Sequence, residues 1–558
     1  METKRFLIVG GSISGIRKAI ELAEQGNQVY LLESRPDLKL DRIIADNPSN
    51  GGTPFLSPEL EKVRSNPNIH ILTNVDIERI EQNGGGFNIK ATKRPLRIIP
   101  EKCNDCKDCI KVCPMSMSDD YNQDLNLRTA VDYFSTLCYH IIKERPICQE
   151  TCPVNLDIRG YIGLIADGKP EESLDLIREK LLFPLTIGRI CPHPCEEACN
   201  RGIVDKPLCI RDLKRYVADY EMKLLSKPKP KEKVSGEHKS DKVAIVGAGP
   251  AGLACAHDLA LTRYPVTIFE SLPVAGGMLA VGIPDYRLPR NILEMEIDLV
   301  RQLGTEIKNN TRIGKEITLT DLFNQGYKAI FIAVGAHNNQ QMKIPGEDLP
   351  GVVPGVFFLR DLNLGREVKV GEKVGVIGGG NVAMDAARSS LRLGAKEVSI
   401  LYRRSREEIP ASNEEIEAAL HEGIKIEYLV APSEVVAEGG KTVGLKCVRM
   451  QLGELDKSGR RRPVPITGSE FVIPLDTIMP AIGQASDLSF LDGESGIALT
   501  RWGTIIADPD TLATSRKGVF AGGDCVTGPF IAIAAIAAGK KAALSIEQYL
   551  KEKESSKI

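Results

Sequence analysis

The sequence lacks any apolar run long enough to cross a membrane. A bilayer requires about 20 consecutive apolar residues, whereas the longest candidate, residues 530–539, has ten residues and is rich in alanine. The N-terminus, METKRFLIVG, also lacks the basic segment, the long apolar segment and the small-residue cleavage site of a secretory signal. We therefore expect a cytoplasmic protein with no membrane span.

An excess of charge of either sign is also missing. The 72 lysine and arginine residues nearly balance the 74 aspartate and glutamate residues, which leaves a formal net charge of −2. This balance excludes a protein that binds nucleic acid through bulk positive charge, so no nucleic acid is expected among the partners. A chain with 42% hydrophobic and 26% charged residues is not disordered throughout. Its 558 residues exceed a single core, so we expect three or more domains.

The fourteen cysteines are unevenly distributed, because eleven of them lie between Cys103 and Cys209. In a reducing compartment such clustering favours metal ligation over disulfides. The stretch CNDCKDCIKVCP has the C-x2-C-x2-C-x3-C-P spacing of a bacterial ferredoxin, whose fourth cysteine can serve a second cluster. Zinc-binding or unliganded thiols are the weaker alternative, since zinc sites rarely use three cysteines at such close spacing.

Five further cysteines are candidate ligands for a second cluster. They lie in CQETCP and CPHPCEEAC, on either side of a stretch, residues 158–182, that we predict to be helical. A helical hairpin would fold the two ends of this stretch side by side and bring the thiols together. Cys138 and Cys209 are interpreted as not ligating. The predicted iron ligands are therefore Cys103, Cys106, Cys109, Cys113, Cys148, Cys152, Cys191, Cys195 and Cys199.

Three apolar strands run into glycine-rich turns that are followed by helices. The turns are FLIVGGSISG at residues 6–15, VAIVGAGPAG at residues 243–252 and VGVIGGGNVA at residues 374–383. Such a turn aims backbone N–H groups and a helix N-terminus at a pyrophosphate. In the first turn Ser12 replaces the middle glycine and crowds the pyrophosphate, so we favour a structural or docking role for that unit.

The residue that ends the second strand of each unit discriminates between nucleotides. Glu33 and Glu270 each lie 18 residues beyond the last glycine of their turn. An acid at this position accepts hydrogen bonds from ribose hydroxyls and repels a 2′-phosphate. The second unit is therefore predicted to bind FAD, and a distant acid in GVFAGGD is predicted to bind the ribityl chain. The candidate FAD residues are Gly247, Gly249, Pro250, Ala251, Gly252, Glu270, Gly523 and Asp524.

The third unit has Tyr402 in place of the acid, followed by two arginines. A charge-assisted bond from arginine to phosphate contributes roughly 1.5 to 3 kcal/mol, so this unit is predicted to prefer the 2′-phosphate of NADP(H). A pair of surface arginines without a ligand is the alternative. The candidate NADP residues are Gly378, Gly380, Asn381, Val382, Ala383, Arg403 and Arg404.

From Cys148 onward, about three quarters of the chain resembles the small subunit of NADPH-dependent glutamate synthase. The same stretch is similar to relatives in dihydropyrimidine dehydrogenase and to the large subunit of bifurcating NADH-dependent ferredoxin:NADP oxidoreductases. The matching segments, in chain order, are CQETCP, ICPHPCEEAC, GAGPAGL, AGGMLAVGIPDYRLP, IPGED, GGGNVAMDAARSSLRLGA, YRR and GVFAGGD. The resemblance implies an FAD domain in two pieces with an NADP domain inserted between them. It also implies a helical domain with two 4Fe-4S clusters, FAD contacts from Gly277, Met278 and Arg287, and one non-cysteine cluster ligand near residues 211–215.

Residues 1–114 instead resemble the start of the flavin subunit of heterodisulfide reductases, but here that flavin domain is cut short. The glutamate synthase relatives also have a C-x2-C pair upstream of Cys148, where this chain has only Cys138. The ferredoxin-type cysteines are a possible source of the missing ligands. The assignment of each ligand to a cluster, and the number of clusters beyond two, therefore stay open.

The expected fold class is α/β, with two Rossmann-like domains preceded by a helical iron–sulfur domain and a truncated Rossmann-like module that carries the ferredoxin motif. Residues 226–242 are rich in lysine, proline and serine and are predicted to be a linker. The predicted domains are a truncated module at 1–100, an iron–sulfur domain at 101–225, an FAD domain at 243–345 and 480–558, and an NADP domain at 346–479.

The predicted activity is electron transfer. A disulfide-reducing flavoenzyme needs a redox-active cysteine pair beside its flavin, and residues 275–278 contain no cysteine. We therefore expect hydride transfer between NADP(H) and flavin N5, followed by single-electron steps through 4Fe-4S clusters, with no catalytic acid or base from the protein.

Three roles for the chain remain open. The favoured one is a subunit of a multisubunit complex, with a bifurcating transhydrogenase that links NADP(H), NAD(H) and ferredoxin as its more specific form. Its partners would be an NAD-linked flavoprotein, a ferredoxin-interacting subunit, or both. The alternatives are the small subunit of glutamate synthase and a non-catalytic scaffold with relic dinucleotide folds.

Overall fold

A computed structural model of the chain describes residues 4–10, 13–33, 58–73, 75–83, 86–93, 117–119, 122–128, 146–203, 205–225, 238–456, 459–491 and 495–555. The chain divides into two compact units, Met1–Pro146 and Ile147–Ile558. The predictions for Ser12, for the ferredoxin-type cysteines Cys103, Cys106, Cys109 and Cys113, and for Cys138 lie outside the described residues.

The first unit contains a small parallel sheet. Its strands are paired in chain order, and helix Ile13–Glu24 follows the first of them, as the first glycine turn predicts. The apolar face of this helix buries Ile16, Ala19 and Ala23 against the sheet. The strands are Arg5–Val9, Gln28–Glu33 and Ile69–Thr73, with a second helix at Pro58–Ser65 and two hairpins, Val75–Asn83 with Gly86–Lys93 and Met117–Asp119 with Asn122–Arg128.

The second unit begins with a helical region, residues 147–225. The stretch predicted to be helical is a pair of helices that pack on each other and are joined at Gly168, which has a positive φ of 72°. The buried Tyr161 donates a hydrogen bond to the carbonyl of Ile210 (2.8 Å) and so fastens the pair to the last helix of the region. The helices are Ile147–Glu150, Ile158–Ala166, Pro170–Arg178, Pro184–Ile190, Pro194–Glu197 and Ile210–Leu225, with a 3-10 turn at Asn200–Ile203.

A five-stranded parallel sheet follows in the chain. Its last strand comes from the C-terminal part of the chain, so this domain is built from two segments. Helices Pro250–Leu261 and Ala532–Ser555 pack closely, because a Cβ on Gly539 would lie 2.1 Å from the carbonyl oxygen of Ala251. In spatial order the strands are Glu306–Lys308, Val266–Phe269, Lys242–Val246, Tyr327–Ile332 and Val519–Ala521, and the other helices are Met278–Val281, Arg290–Gln302, Leu319–Asn324 and Asp524–Thr527.

A four-stranded parallel sheet lies between the two segments in sequence. It has the spatial order Lys425–Tyr428, Glu397–Tyr402, Lys373–Ile377 and Thr477–Pro480, with helices Gly355–Asn363, Asn381–Arg392 and Asn413–His421 and a 3-10 turn at Arg406–Glu408. The two chain crossings into and out of this domain pair with each other as short antiparallel strands, Asn338–Asn339 and Gln484–Ala485. The α/β fold class with two parallel-sheet domains is thereby confirmed.

An antiparallel sheet that the sequence analysis did not predict is inserted in the second of these domains. Its strands are Val430–Glu438, Lys441–Leu455, Arg461–Pro465 and Phe471–Pro474. In the part of the chain that the structure describes, no helix has both the length and the apolar character needed to span a bilayer.

Glu296 joins the helical region to the five-stranded-sheet domain. Its carboxylate is 1% exposed and accepts hydrogen bonds from the backbone N–H groups of Leu185 (2.7 Å) and Thr186 (2.9 Å). These N–H groups lie in the first turn of helix Pro184–Ile190, where no intrahelical acceptor is available. One buried side chain therefore holds the helical region against the neighbouring domain.

We expect Glu296→Ala to loosen this junction. Each buried N–H left without an acceptor costs about 1 to 3 kcal/mol, so the amides of Leu185 and Thr186 should lose protection. Hydrogen exchange followed by mass spectrometry measures this loss. Glu294→Ala on the same helix is the control, because its exposed ion pair with Arg301 contributes little. Equal exchange in the two variants would contradict the assignment.

The same residue predicts a pH dependence of stability. Burial raises the pKa of Glu296 from 4.5 to about 7. The folded protein then holds the proton more readily than the unfolded chain, so the contribution of Glu296 to stability is complete below about pH 4.5 and declines as the pH rises through about 7. The non-titrating variant Glu296→Gln should therefore show a shallower fall in thermal midpoint between about pH 5 and pH 8. A slope identical to that of the wild type would contradict this prediction.

Candidate cofactor sites

In the glycine turn at residues 247–252, a side chain at Gly247 or Gly252 would clash with the backbone, whereas the space beside Gly249 is open. A Cβ on Gly247, whose φ is 106°, would lie 2.5 Å from the carbonyl oxygen of Ala333, and one on Gly252 would lie 2.0 Å from that of Gly247. A Cβ on Gly249 would meet only the Cα of Gly277, at 4.0 Å, among the described residues outside its own neighbours. Gly249 caps helix Pro250–Leu261, so the open space lies at a helix N-terminus and fits a pyrophosphate.

Two predicted acids lie close to this turn. Glu270 is buried and accepts hydrogen bonds from the N–H groups of Ala248 (2.7 Å) and Leu272 (2.8 Å), and burial raises its pKa. A carboxylate has about four acceptor positions, so a ribose hydroxyl can still bind to it. Glu270 therefore both shapes the turn and remains available to a nucleotide.

Asp524 reaches the same turn from the distant C-terminal segment. A Cβ on its neighbour Gly523 would lie 3.2 Å from the side chain of Ala251, which places this segment against the helix N-terminus. Burial raises the pKa of Asp524 to about 6, and the N–H of Phe530 donates a hydrogen bond to its carboxylate at 3.3 Å. The structure thus brings together the two segments that the sequence analysis assigned to one FAD site.

Two of the FAD contacts implied by the resemblance have protein partners. The guanidinium of Arg287 forms ion pairs with Asp385 (2.6 Å) and Glu415 (2.5 Å), both of the inserted domain. Met278 Sδ lies 3.8 Å from the side-chain amide of Gln484. Arg287 therefore links the two α/β domains, a role that the sequence analysis missed because Asp385 lies 98 residues away in the chain. Their FAD contacts stay predictions.

The glycine turn at residues 374–383 repeats the arrangement of the turn at residues 247–252. Gly378 has a φ of 140°, and a Cβ there would lie 2.3 Å from the carbonyl oxygen of Ala481. Gly380 caps helix Asn381–Arg392, which begins with the predicted residues Asn381, Val382 and Ala383, and no described atom beyond its own neighbours lies within 4 Å of its Cβ position. This turn therefore also leaves room for a pyrophosphate at a helix N-terminus.

The two predicted phosphate-binding arginines have different surroundings. Arg403 is exposed beyond the end of strand Glu397–Tyr402. Arg404 is 5% exposed and donates hydrogen bonds to the carbonyl oxygen of Arg461 (2.8 Å) and to the carboxylate of Asp456 (2.7 Å). Only Arg403 of the pair is thus presented to solvent.

The thiols of the helical region that the structure describes influence one another's pKa values in two groups. Burial raises the pKa of Cys148, and the Cys199 thiol adds to the rise. Burial likewise raises the pKa of Cys152, with a contribution from Cys191, and that of Cys195 to about 12, with contributions from Cys152 and Cys191. Cys148 therefore interacts with Cys199, while the three buried thiols of Cys152, Cys191 and Cys195 interact with one another and form the three-thiol group.

These thiols are the donor type that a 4Fe-4S cluster uses, and in such a cluster each thiolate binds a different iron. Iron would also offset the raised pKa values, because a coordinating thiol is deprotonated outright. Cys209 is exposed, and its interpretation as a non-ligand stays a prediction.

Lys214 is a buried cation beside the three-thiol group. It is 4% exposed, and its charge lowers the pKa values of Cys152 and Cys195 against the effect of burial. No described carboxylate forms an ion pair with it. Lys214 lies within residues 211–215, where the resemblance implies a non-cysteine cluster ligand. A buried ammonium requires a compensating negative charge, which an anionic cluster would supply.

We expect Lys214→Met to lower the midpoint potential of a cluster bound by the three-thiol group. Removing a nearby positive charge disfavours the reduced, more negative cluster by on the order of 50 mV. Lys214→Arg keeps the charge and is the control. A redox titration followed by electron paramagnetic resonance (EPR) measures the shift, and equal potentials in the two variants would contradict the prediction.

Two family models match this chain, one over the two parallel-sheet domains and one over the helical region. Residues 241–539 match the family model described as pyridine nucleotide-disulphide oxidoreductase. Residues 135–225 match the model described as dihydropyrimidine dehydrogenase domain II, 4Fe-4S cluster. The predicted cofactor types, FAD, NADP(H) and 4Fe-4S, are confirmed by these matches, as is the prediction of an oxidoreductase.

The curated relatives include subunits of several complexes. The chain is 53% identical over 426 residues to the NADP(+)-dependent formate dehydrogenase subunit beta of Moorella thermoacetica, covering 73% of this chain and 60% of that protein. It is 46% identical to the NADPH-Fe(3+) oxidoreductase subunit beta of Geobacter sulfurreducens, covering 73% and 64%. Against the glutamate synthase [NADPH] small chain of Escherichia coli the identity is 34%, covering 73% and 89%. The chain thus matches about three fifths of the length of the first two relatives, and the predicted resemblance to the third is confirmed.

Proposed function

Because this chain belongs to the pyridine nucleotide-disulphide oxidoreductase family, we propose that it is the NADP(H)-linked FAD and iron–sulfur subunit of a multisubunit electron-transfer complex. Bound FAD would exchange a hydride with NADP(H) and pass single electrons to the clusters. The observation that carries this proposal is the presence, within one compact unit, of two open glycine turns at helix N-termini and two groups of thiols.

The described cysteines support the transfer of single electrons from the flavin to iron–sulfur clusters rather than the reduction of a disulfide. The nine cysteines that the structure describes are all free, and beyond the helical region they are the buried residues Cys255, Cys447 and Cys525. Cys525 follows the predicted ribityl-binding Asp524, but it is a single thiol that donates to the carbonyl oxygens of Ile332 and Gly522. A flavin at this place would lack the paired thiols that disulfide reduction needs.

The protein groups around the nucleotides would bind and orient rather than transfer protons. Gly249 and Gly380 leave room for the pyrophosphates, Glu270 and Asp524 supply acceptors for sugar hydroxyls, and Arg403 supplies a cation. The ion pairs of Arg287 fasten the inserted domain to the FAD-binding domain. A fixed arrangement of these domains favours hydride transfer, because the reacting atoms must approach to about 3 to 3.5 Å.

For the complex itself we propose an NADP-linked electron-transfer assembly, with a bifurcating transhydrogenase linking NADP(H), NAD(H) and ferredoxin as its most specific form. Support comes from the higher identity to the two NADP(H)-linked beta subunits, 53% and 46%, than to the glutamate synthase small chain, 34%. Service as a glutamate synthase small subunit is the second candidate, supported by the 89% coverage of that relative. Cytoplasmic location is part of the same proposal.

Anaerobic purification of the complex from its source, with analysis of subunits, iron and flavin, tests this proposal. We expect co-purifying redox subunits and NADPH-dependent reduction of a viologen dye. Ferredoxin reduction that requires both NADPH and NAD would support bifurcation. Glutamate formation after addition of a glutamate synthase large subunit and glutamine would instead favour the second candidate. A colourless protein without iron or flavin would overturn both.

A further inference from the structure

The N-terminal end of helix Asn413–His421 carries two successive glutamates that bind different parts of the molecule. Glu415 forms its ion pair with Arg287 of the FAD-binding domain (2.5 Å). Glu414 accepts two hydrogen bonds from the guanidinium of Arg211 in the helical region, one to each carboxylate oxygen, at 2.9 and 3.2 Å. The inserted domain is therefore held at one helix end by both the FAD-binding domain and the helical region.

Arg211 is itself fixed within the helical region. Its backbone N–H donates to the carboxylate of Glu196 (2.7 Å), the residue that follows Cys195 of the three-thiol group. Its side chain is 17% exposed and also contacts the neighbouring Asp212 at 3.2 Å. A guanidinium that binds both oxygens of a carboxylate constrains direction as well as distance. The contact with Glu414 therefore orients the inserted domain against the segment that carries the thiols.

The same helix end is connected to the glycine turn at residues 374–383. Ser412 and Glu415 cap the helix reciprocally, because the N–H of Glu415 donates to Ser412 Oγ (3.2 Å) and Ser412 Oγ donates to the Glu415 carboxylate (3.1 Å). One residue earlier, the N–H of Ala411 donates to the carbonyl oxygen of Gly379 (3.0 Å). A displacement of this helix end would therefore move the backbone of the predicted NADP site.

Arg287 reaches the other side of the same glycine turn. Its second partner, Asp385, is buried in helix Asn381–Arg392, which begins at that turn. The turn is thus held from the FAD-binding domain through Asp385 and Glu415, and from the helical region through Glu414. Because the reacting atoms of a hydride transfer must approach to about 3 to 3.5 Å, a displacement of about 1 Å at this turn is enough to slow the reaction.

We propose that Arg211 and Glu414 are positioning residues for hydride transfer between NADP(H) and FAD, because the contact between them lets the helical region set the position of the glycine turn at residues 374–383. This inference rests on the proposed function and deepens it. It gives the iron–sulfur region a part in the hydride step as well as in the electron steps that follow.

Anaerobic stopped-flow mixing of the full, cofactor-loaded chain with increasing concentrations of NADPH tests the proposal. This measurement separates the limiting rate of flavin bleaching from the apparent Kd of NADPH. Glu414→Gln and Arg211→Met should each lower the limiting rate about two- to fivefold, the range that one ion pair contributes, and leave the Kd within about 1.5-fold. The FAD content, the iron content and the EPR spectrum of the reduced clusters should match those of the wild type.

Glu417→Gln is the matched control. Glu417 lies on the same helix, its side chain is 64% exposed against 63% for Glu414, and it pairs with Arg406 (2.5 Å) of its own domain. We expect this variant to keep the limiting rate of the wild type. Equal limiting rates in E414Q and E417Q would overturn the proposal. A raised Kd with an unchanged limiting rate in E414Q would also overturn it, because Glu414 would then act on nucleotide binding.

A double-mutant cycle tests whether the two residues act through their mutual contact. The variant R211M/E414Q should be about as slow as either single variant, since each single change already removes the contact. Losses that multiply would show that the residues act separately, and the proposed contact would then be wrong. Should R211M fail to fold, the comparison of E414Q with E417Q still decides the role of Glu414.

The outcomes also separate this inference from the proposed function. A wild-type protein whose flavin is not bleached by NADPH would contradict the proposed function, and with it this inference. Normal bleaching in the wild type, with equal limiting rates in E414Q and E417Q, would leave the function intact and overturn only the positioning role.

Discussion

Replacing Gly249 with valine is expected to give a folded protein that contains no FAD. The Cβ position of Gly249 is open, with only Gly277 Cα at 4.0 Å among the described residues outside its neighbours, and its φ of −76° and ψ of −179° suit any residue. The side chain would therefore fit the fold but fill the space that a pyrophosphate needs. We expect the FAD content of the purified protein to fall at least about tenfold, with an unchanged circular dichroism spectrum.

The glycine turn at residues 374–383 supplies the matched control for this prediction. Gly380 has the same open Cβ position at the N-terminus of helix Asn381–Arg392. Gly380→Val should therefore keep its FAD but lose reduction by NADPH. Gly252→Ala is a different kind of variant, because its Cβ would lie 2.0 Å from the carbonyl oxygen of Gly247 and would disturb the backbone. Normal FAD content in Gly249→Val would show that the flavin lies elsewhere.

Cys195→Ala is expected to remove the iron of one 4Fe-4S cluster while FAD is retained. Cys195 is buried and interacts electrostatically with Cys152 and Cys191, so it belongs to the three-thiol group beside Lys214. Loss of one thiolate leaves that group with two, too few to hold a cluster against exchange. Iron analysis and the EPR spectrum of the reduced protein measure the loss, and electron delivery to a viologen should fall by at least about tenfold.

Cys209→Ala is the control for the cluster prediction. Cys209 lies on the connection that leads into helix Ile210–Leu225 and is exposed. We expect this variant to keep the full iron content and wild-type activity. Equal iron in Cys195→Ala and the wild type would remove Cys195 from the ligand set, and loss of iron in Cys209→Ala would add a ligand.

Local sequence patterns predicted the parts of the fold that local physics determines. A strand, a glycine turn and a helix are contiguous in sequence, so all three units were found, including Gly249 and Gly380 at the helix N-termini. The assignment of Asp524 to the same FAD site as the turn at residues 247–252 came from the segment GVFAGGD. The structure adds the contact that explains it, between Gly523 and Ala251.

Features that depend on distant partners were not predictable in this way. Arg404 was assigned to a phosphate because its partners, Asp456 and Arg461, lie 52 and 57 residues away. The inserted antiparallel sheet was missed, although the pair Gly439 and Gly440 and the alternating pattern of Lys441–Leu455 were available signals. Lys214 offered no signal, because burial beside thiols depends on how three helices pack.

The direct test of the central claim is anaerobic mixing of the purified chain with NADPH, followed by absorption spectroscopy and by EPR of samples frozen at successive times. We predict that the flavin absorbance bleaches first and that the signal of a reduced 4Fe-4S cluster then appears, with NADPH much more effective than NADH. An unchanged spectrum, or a bleached flavin with no cluster signal at any time, would contradict the path from NADPH through FAD to the iron–sulfur clusters.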